Sequence, residues 1–280
     1  MPELPEVETI ARVLRDGTGI YNTSIIGCQI TGVHVLWART LATPKPKGFI
    51  KQVIGQTVQS LSRRGKFLVF SLTDYTLLIH LRMSGDLRVE SAQDENGKPR
   101  PFEKHDRLAL EFNNGQRLVF NDMRKFGRAW LVKDSAKVLG GLGPEPLDKG
   151  LTHKIFFDML HSRKRQLKPL LMDQRFLAGL GNIYTDEALH LAWLHPLALS
   201  HQITREASGQ LLDAIRCMLK EGIRRNGASI DRVYRGGDFQ NHFRVYGRAG
   251  SPCPNCGTSI DRLVVSQRGT HICPQCQQLD

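Results

Sequence analysis

Apolar positions change their period twice along this chain. Val7, Ile10, Ala11 and Leu14 recur at the i, i+3, i+4, i+7 spacing of one helical face, and Gly17 supplies a stop. That spacing predicts an amphipathic helix over residues 5–16, which must dock and thereby fix Pro2 and Glu3 in space. From about residue 24 to 133 the pattern becomes that of strands. "QITGVHVLW", "GKFLVFSL", "YTLLIHLRM", "DRLALEF", "QRLVFNDM" and "RAWLVK" are short and rich in β-branched and aromatic residues. Turn residues such as Asn113-Asn114-Gly115 separate them, which predicts a β-sandwich or barrel-like domain. "ESAQDENGKPRP" reads as an exposed loop. "LGGLGPEPLDKG" (139–150), with its glycines and prolines, reads as part of a linker. Beyond it the period is helical. "THKIFFDMLH", "QLKPLLMD", "NIYTDEALHLAWL" and "TREASGQLLDAIRCMLKEGIRR" follow in turn, with Gly227 ending the last.

Composition narrows the class. The 280 residues leave room for two domains, and 40% hydrophobic content suffices for a sizeable core. Thirty-nine lysines and arginines against 27 acids give a net charge of +12, which favours a polyanionic partner, nucleic acid or an acidic membrane. No apolar run approaches the ~20 residues of a membrane span, and no basic segment followed by an apolar stretch marks a secretory signal. A cytoplasmic protein is expected, and nothing signals an oligomer, so a monomer is expected.

The strongest local motif is Cys253-x2-Cys256-x16-Cys273-x2-Cys276. Two C-x-x-C knuckles aim four thiolates at one point, the donor set of a closed, structural zinc site. A redox dithiol pair would need a thioredoxin-like βαβ context that is absent. Cys28 and Cys217 read as buried small hydrophobes. Between the knuckles, "RLVVSQRGTH" reads as a hairpin with Arg268 beside a glycine. In "LAGLGNIYTDEAL", Gly179 and Gly181 permit a tight turn and Asn182 stands where a helix N-cap belongs. The result is either a phosphate site or an ordinary cap. Three segments interleave cations with apolar residues: Arg63, Arg64 and Lys66 around a glycine turn, His80, Arg82 and Met83 at a strand end, and Arg124 and Lys125 beside Phe126. Such wedges suit a protein that unstacks bases and fills the gap.

Taken in order, "PELPEVE", "SRRGKF", "HLRMSG", "RKFG", "GLGNIY", "VYGRAG" and the four-cysteine end with "RGTHICPQCQ" resemble the formamidopyrimidine-DNA glycosylase/endonuclease VIII family of base-excision repair enzymes. "PELPEVE" resembles its formamidopyrimidine-DNA glycosylase branch. The resemblance implies an α+β multidomain fold: an N-terminal β-sandwich with flanking helices (1–134), a linker (135–150), a helix–two-turn–helix domain (151–242) and a four-cysteine zinc finger (243–280). It implies one structural Zn2+, no organic cofactor and damaged double-stranded DNA as partner. On matching positions it makes Pro2 the nucleophile, Glu3 the proton donor and acceptor, and Glu6 their support. Lys66, His80, Asn182, Tyr246, Arg262 and Arg268 would hold phosphates around a flipped nucleotide. Met83, Arg124 and Phe126 would fill the vacated stack, and loop 228–241 would cap the damaged base. That loop is shorter than is usual in the family, and Met123 stands where proline or valine is more usual.

The activity so implied is that of a bifunctional glycosylase/AP lyase removing oxidised purines through a Pro2 iminium. The alternatives are an oxidised-pyrimidine glycosylase of the same family and a non-catalytic zinc-containing DNA-binding protein.

Overall fold

A computed structural model describes residues 1–17, 24–229 and 236–279. The chain divides into two compact units. The first comprises Met1–Pro2 and Glu6–Gly140; the second comprises Glu3–Pro5, Gly141–Ser229 and the chain from Gly236 onward.

Helix α1 (Leu4–Asp16) opens the chain, with Val7, Ile10, Ala11 and Leu14 all buried as their spacing predicts. Gly17 follows at φ 64, a left-handed turn that costs glycine little. Nine strands follow: β1 (Ile30–Val35), β2 (Leu41–Thr43), β3 (Val58–Arg64), β4 (Phe67–Leu72), β5 (Thr76–His80), β6 (Gly85–Ser91), β7 (Asp106–Phe112), β8 (Gln116–Asp122) and β9 (Arg128–Val132). Helix α2 (Pro46–Val53) lies between β2 and β3. The strands form two sheets, ordered β1-β7-β8-β6 and β2-β9-β5-β4-β3, antiparallel throughout except for the parallel β2–β9 pair. Leu68, Phe70 and Ile79 from one sheet and Leu108, Leu118 and Phe120 from the other belong to a single apolar cluster, joined by α1 and by Phe49 of α2. The β-sandwich expected from the sequence is therefore present.

Three strands, β2, β3 and β6, and helix α2 lie outside the segments read from the sequence. β3 includes Arg63 and Arg64, and the turn begins only at Gly65 (φ 56). β6 alternates charged and apolar residues; its charges are spent across strands, Arg88 on Asp106 at 2.7 and 2.8 Å and Glu90 on Arg117 at 2.7 Å. Helix α2 is absent from the sequence reading although Pro46 at its first turn is a helix-start signal.

The second unit holds α4 (His153–His161), α5 (Leu167–Leu171), α6 (Asn182–Leu191) and α7 (Arg205–Arg224), preceded by the short α3 (Ala136–Leu139) of the first unit. Thr152 and Thr204 cap α4 and α7 through their side chains, and Gly227 (φ 79) lies just past α7 as predicted. Strands β10 (Asp261–Val265) and β11 (Arg268–Ile272) pair as the expected hairpin, turning at Ser266 and Gln267. One expectation fails: Cys28 is buried, but Cys217 is exposed, on the solvent side of amphipathic α7. No described helix is long and apolar enough to cross a membrane.

Candidate active site and zinc centre

Helix α6 is where the second unit concentrates its chemistry. A helix start leaves several backbone N–H groups without partners and carries positive potential. Here the Glu3 carboxylate takes them. It accepts from Gly181 N at 2.6 Å, from Ile183 N at 3.0 Å and, at 3.5 Å, from Tyr184 N. Glu3 is 2% exposed, so these bonds hold a buried carboxylate in one orientation. The two glycines of the "GLG" turn make this approach possible. A side chain at Gly181 would collide with the Glu3 carboxyl, and one at Gly179 (φ +101) would meet Leu4 at 2.6 Å. Leu4 N in turn donates to Gly179 O at 3.0 Å.

The sequence reading of this turn needs correcting at one point. Asn182 is not the N-cap; Gly181 is, and Asn182 is the first helical residue. At the positive end of α6, Glu3 takes the N–H groups of Gly181, Ile183 and Tyr184. The Asn182 amide reaches to the zinc hairpin, donating from Nδ2 to Gly269 O at 3.0 Å.

Four further residues around α6 were not anticipated. Lys168 of α5, 1% exposed, donates from Nζ to Asp186 Oδ1 at 2.6 Å, to Thr270 Oγ1 at 2.8 Å and to Gly269 O at 3.1 Å. Burial pulls its ammonium below the ordinary lysine range, while the charge of Asp186 acts the other way. The other oxygen of Asp186 accepts His271 N at 3.0 Å. Asn182, Lys168 and Asp186 thus fix the backbone immediately following exposed Arg268. Glu187 accepts the backbone N–H groups of Arg244, Val245 and Tyr246 at 2.8, 3.0 and 2.8 Å, which fixes Tyr246. Burial pushes the Glu187 carboxyl up, and the three N–H donors oppose it. His190 closes the helix against Cys253. Arg262, exposed on β10, lies across Gly269, its Nη2 3.4 Å from where a Cβ would stand.

The first unit groups the remaining predicted residues. Pro2 and Glu6 are buried, as are Lys66, at 3%, and His80, at 8%. His80 Nδ1 accepts Arg82 N at 3.0 Å, and the Phe67 ring meets its ring edge-on at 4.7 Å. Desolvation, then the charges of Arg82 and Lys66, bring His80 down to about 3. Met83 and Phe126 are exposed at 39% and 48%, and Met123, beside Arg124, at 57%. The Arg124 guanidinium lies 5.2 Å from the Phe126 ring centroid. Buried Asp122 organises both exposed segments. Its carboxylate accepts Gly127 N at 2.7 Å and Arg124 N at 3.2 Å, and it takes a short hydrogen bond from Ser84, beside Met83. Of loop 228–241, residues 230–235 lie outside the described residues.

The four cysteine sulfurs lie within 4.8 Å of one another. Cys253–Cys276, Cys256–Cys273 and Cys256–Cys276 separations are 3.9, 3.4 and 3.5 Å. Tetrahedral zinc with ~2.3 Å bonds places its sulfurs ~3.8 Å apart, so the residues fit that ion. Asn255 N and Cys276 N each donate to a cysteine sulfur at 3.4 Å, the N–H···S pattern of a metal knuckle.

Three family models match the chain: the formamidopyrimidine-DNA glycosylase N-terminal domain over residues 1–129, the H2TH domain of the same enzymes over 142–233, and the zinc finger found in FPG and IleRS over 250–279. The formamidopyrimidine-DNA glycosylase of Protochlamydia amoebophila is 42% identical over 99% of this chain and all of its own. That of Chloroflexus aurantiacus is 44% identical over 99% of this chain and 98% of its own. The chain belongs to the formamidopyrimidine-DNA glycosylase family. Among solved structures, Lactococcus lactis Fpg (MutM) in complex with DNA containing N7-benzyl-Fapy-dG superposes at a TM-score of 0.89, with 37% identity over 99% of this chain and all of that one. MutM in complex with carbocyclic 8-oxo-G DNA does so at 0.89 with 36% identity and the same coverage. As in the family finger, the four cysteines hold a structural zinc ion, which crosslinks a segment whose own apolar cluster is little more than Val245 and Ile260.

Proposed function

We propose that this chain is a bifunctional DNA glycosylase/AP lyase of base-excision repair that removes oxidised purines, 8-oxoguanine and formamidopyrimidines, from duplex DNA. It would act as a monomer in the bacterial cytoplasm, at the nucleoid. The observation that carries the reading is the seating of Glu3. A carboxylate adjacent to Pro2 is buried and aimed by three backbone N–H groups in a member of this family.

Removal of Met1 frees the secondary amine of Pro2. An α-amino group titrates near ~7.7–8, so a useful fraction is neutral at cellular pH. The neutral amine attacks C1′ of the sugar as the damaged base leaves with the bonding pair and a proton. Glu3, protonated, assists ring opening at the sugar oxygen. Loss of the amine proton and of the C1′ oxygen yields an iminium, cationic at any pH. That cation draws electrons from C2′, whose proton passes to ionised Glu3. The 3′ phosphate then departs by β-elimination and the 5′ phosphate by δ-elimination. Lys66, His80, Asn182, Tyr246, Arg262 and Arg268 hold the phosphates in this reading, and Glu6 supports the terminus. Met83, Arg124 and Phe126 fill the vacated stack, and loop 228–241 caps the lesion. Contacts of this kind to the backbone give affinity without reading sequence.

Borohydride trapping on a panel of lesion duplexes tests the reading. A covalent adduct is expected with 8-oxoguanine and with an abasic site, and Pro2→Gly should nearly abolish it. Strong preference for 5-hydroxycytosine would move the substrate to oxidised pyrimidines. No adduct from Met-processed protein on an abasic duplex would leave only a DNA binder. With ~6–8 phosphates neutralised, log K should fall with log salt at a slope near −5 to −7.

A further inference from the structure

The last turn of helix α6 carries a histidine that touches a cysteine of the zinc site. His190 is fully buried, and its Nε2 lies 3.4 Å from Sγ of Cys253. Its Nδ1 is also buried and has no hydrogen-bond partner among the described residues. A zinc-bound thiolate carries no proton and can only accept. A neutral imidazole carries one N–H, and its two tautomers are not equivalent here. With the proton on Nε2, the ring donates a charge-assisted hydrogen bond to sulfur. With the proton on Nδ1, a buried donor goes unpaired and two lone pairs face each other.

Cys253 also differs from the other ligands in where its donors come from. Asn255 N donates to it from within its own knuckle, at 3.4 Å, as Cys276 N does to Cys273. His190 belongs instead to α6, outside the finger, and the same helix holds the Glu3 carboxylate at its other end. Gln277 makes a second such tie, accepting Cys273 N at 3.0 Å and donating to Leu194 O at 2.8 Å just past α6.

We propose that His190 is a positioning residue for the zinc centre: its Nε2–H donates to the Cys253 thiolate, sets the rotamer of that ligand and fastens the ion to the helix that carries Glu3. The proposal goes beyond the glycosylase reading and rests only on zinc being bound. A donor to a metal thiolate withdraws charge from sulfur and slows its protonation and oxidation; losing such an outer partner typically costs ~10–100-fold in metal affinity.

The test uses the full chain loaded with zinc or, for spectroscopy, cobalt(II). In His190→Phe, zinc release to a chromogenic chelator should accelerate ~10-fold or more. The sulfur-to-cobalt charge-transfer band should move to lower energy, because an unbonded thiolate is easier to oxidise. His190→Gln, which keeps an N–H donor, should recover part of both effects. In the zinc-loaded wild-type chain, nitrogen-15 spectra of the histidines should show His190 protonated at Nε2 and bare at Nδ1. An unchanged cobalt band in His190→Phe would overturn the proposal whatever the release rate, and so would the opposite tautomer in the wild type, a reading that requires no variant to fold. A wild-type chain that binds no zinc would remove the zinc assignment itself, and this proposal with it.

Discussion

The sandwich interior and the surroundings of α6 are both closed to solvent, yet different chemistry fills them. Between the sheets the buried residues form one apolar cluster, Leu, Ile, Val and Phe from both sheets and two helices. Around α6, Glu3, Lys168, Asp186, Glu187 and His190 are all at most 2% exposed. A buried apolar group contributes in proportion to its area and tolerates a change of shape. A buried charge contributes only while its partners stay in place, and removing one partner leaves the other uncompensated. The first unit is therefore built to be robust, with candidate site side chains such as His80 and Arg124 added at strand ends. The second unit uses its interior polar groups to set the position of the backbone that carries its candidate site residues. Glu3 sits on the α6 start, Lys168 and Asp186 hold the Arg268 turn, and Glu187 holds Tyr246.

The largest effect separating the regions comes from the metal. Structural zinc supplies ~10–16 kcal/mol in small sites, and the finger has almost no core to replace it. Chelation should abolish amide protection across residues 250–279 while β4, β5 and β8 keep theirs, measured by hydrogen exchange. DNA trapping should be lost in parallel. Retained protection in the finger would mean that packing, not metal, holds it.

Next comes the Lys168–Asp186 pair. Lys168→Met or Asp186→Leu alone should destabilise the second unit by ~3–5 kcal/mol in urea, since each leaves a charge without its counterpart. The double variant should recover much of that loss. Recovery is incomplete because Gly269 O and His271 N lose partners as well. Additive losses in the double variant would show that the two charges do not depend on each other.

How much of this was legible in sequence follows from the same contrast. Apolar periodicity revealed α1, α7 and most of the sandwich, because burial there is a matter of hydrophobic faces. The cysteine spacing revealed the zinc centre, because the donor chemistry requires it. β6 is not legible because its alternating positions hold Asp86, Arg88 and Glu90, and the last two pair with neighbouring strands rather than with water. α6 is legible as a helix, but the group that caps its start is not. Residues Ile183 to His190 are buried in succession, polar and apolar alike, so no period marks which of them face a partner. Asn182 stands at the cap position in sequence, yet the true capping group, Glu3, lies 178 residues from Gly181. No local rule connects them.

A titration should distinguish the units at intermediate scale. His80 is buried in the first unit beside Lys66 and Arg82, and its pKa falls from the ordinary 6.5 to about 3. Between those values the unfolded chain binds a proton that the folded chain refuses, so stability rises with pH across that window. Acidifying from pH 7 to pH 5 should therefore cost the sandwich about 2 kcal/mol through this one residue. His80→Gln should flatten that slope in urea titrations followed by the fluorescence of Trp130, which lies on β9. A slope unchanged in the variant would place the acid sensitivity elsewhere.

The smallest effect tests whether the apolar core is separable from the chemistry. Ile79 of β5 is 1% exposed and stands opposite Leu68 and Ala129 in register, one residue before His80. Ile79→Val removes one buried methylene and should cost ~0.5–1.5 kcal/mol. Its side chain points into the cluster between the sheets, and the neighbouring sheets can relax around a gap of that size. Borohydride trapping should then proceed at the wild-type rate below the melting temperature. Glu187→Gln makes a comparably small change in volume, but it weakens the acceptor for three backbone N–H groups and should slow trapping. If Ile79→Val slowed the reaction as much as Glu187→Gln, the division between a core that tolerates change and a polar interior that positions function would fail, because a methylene in one unit would matter as much as a charge in the other.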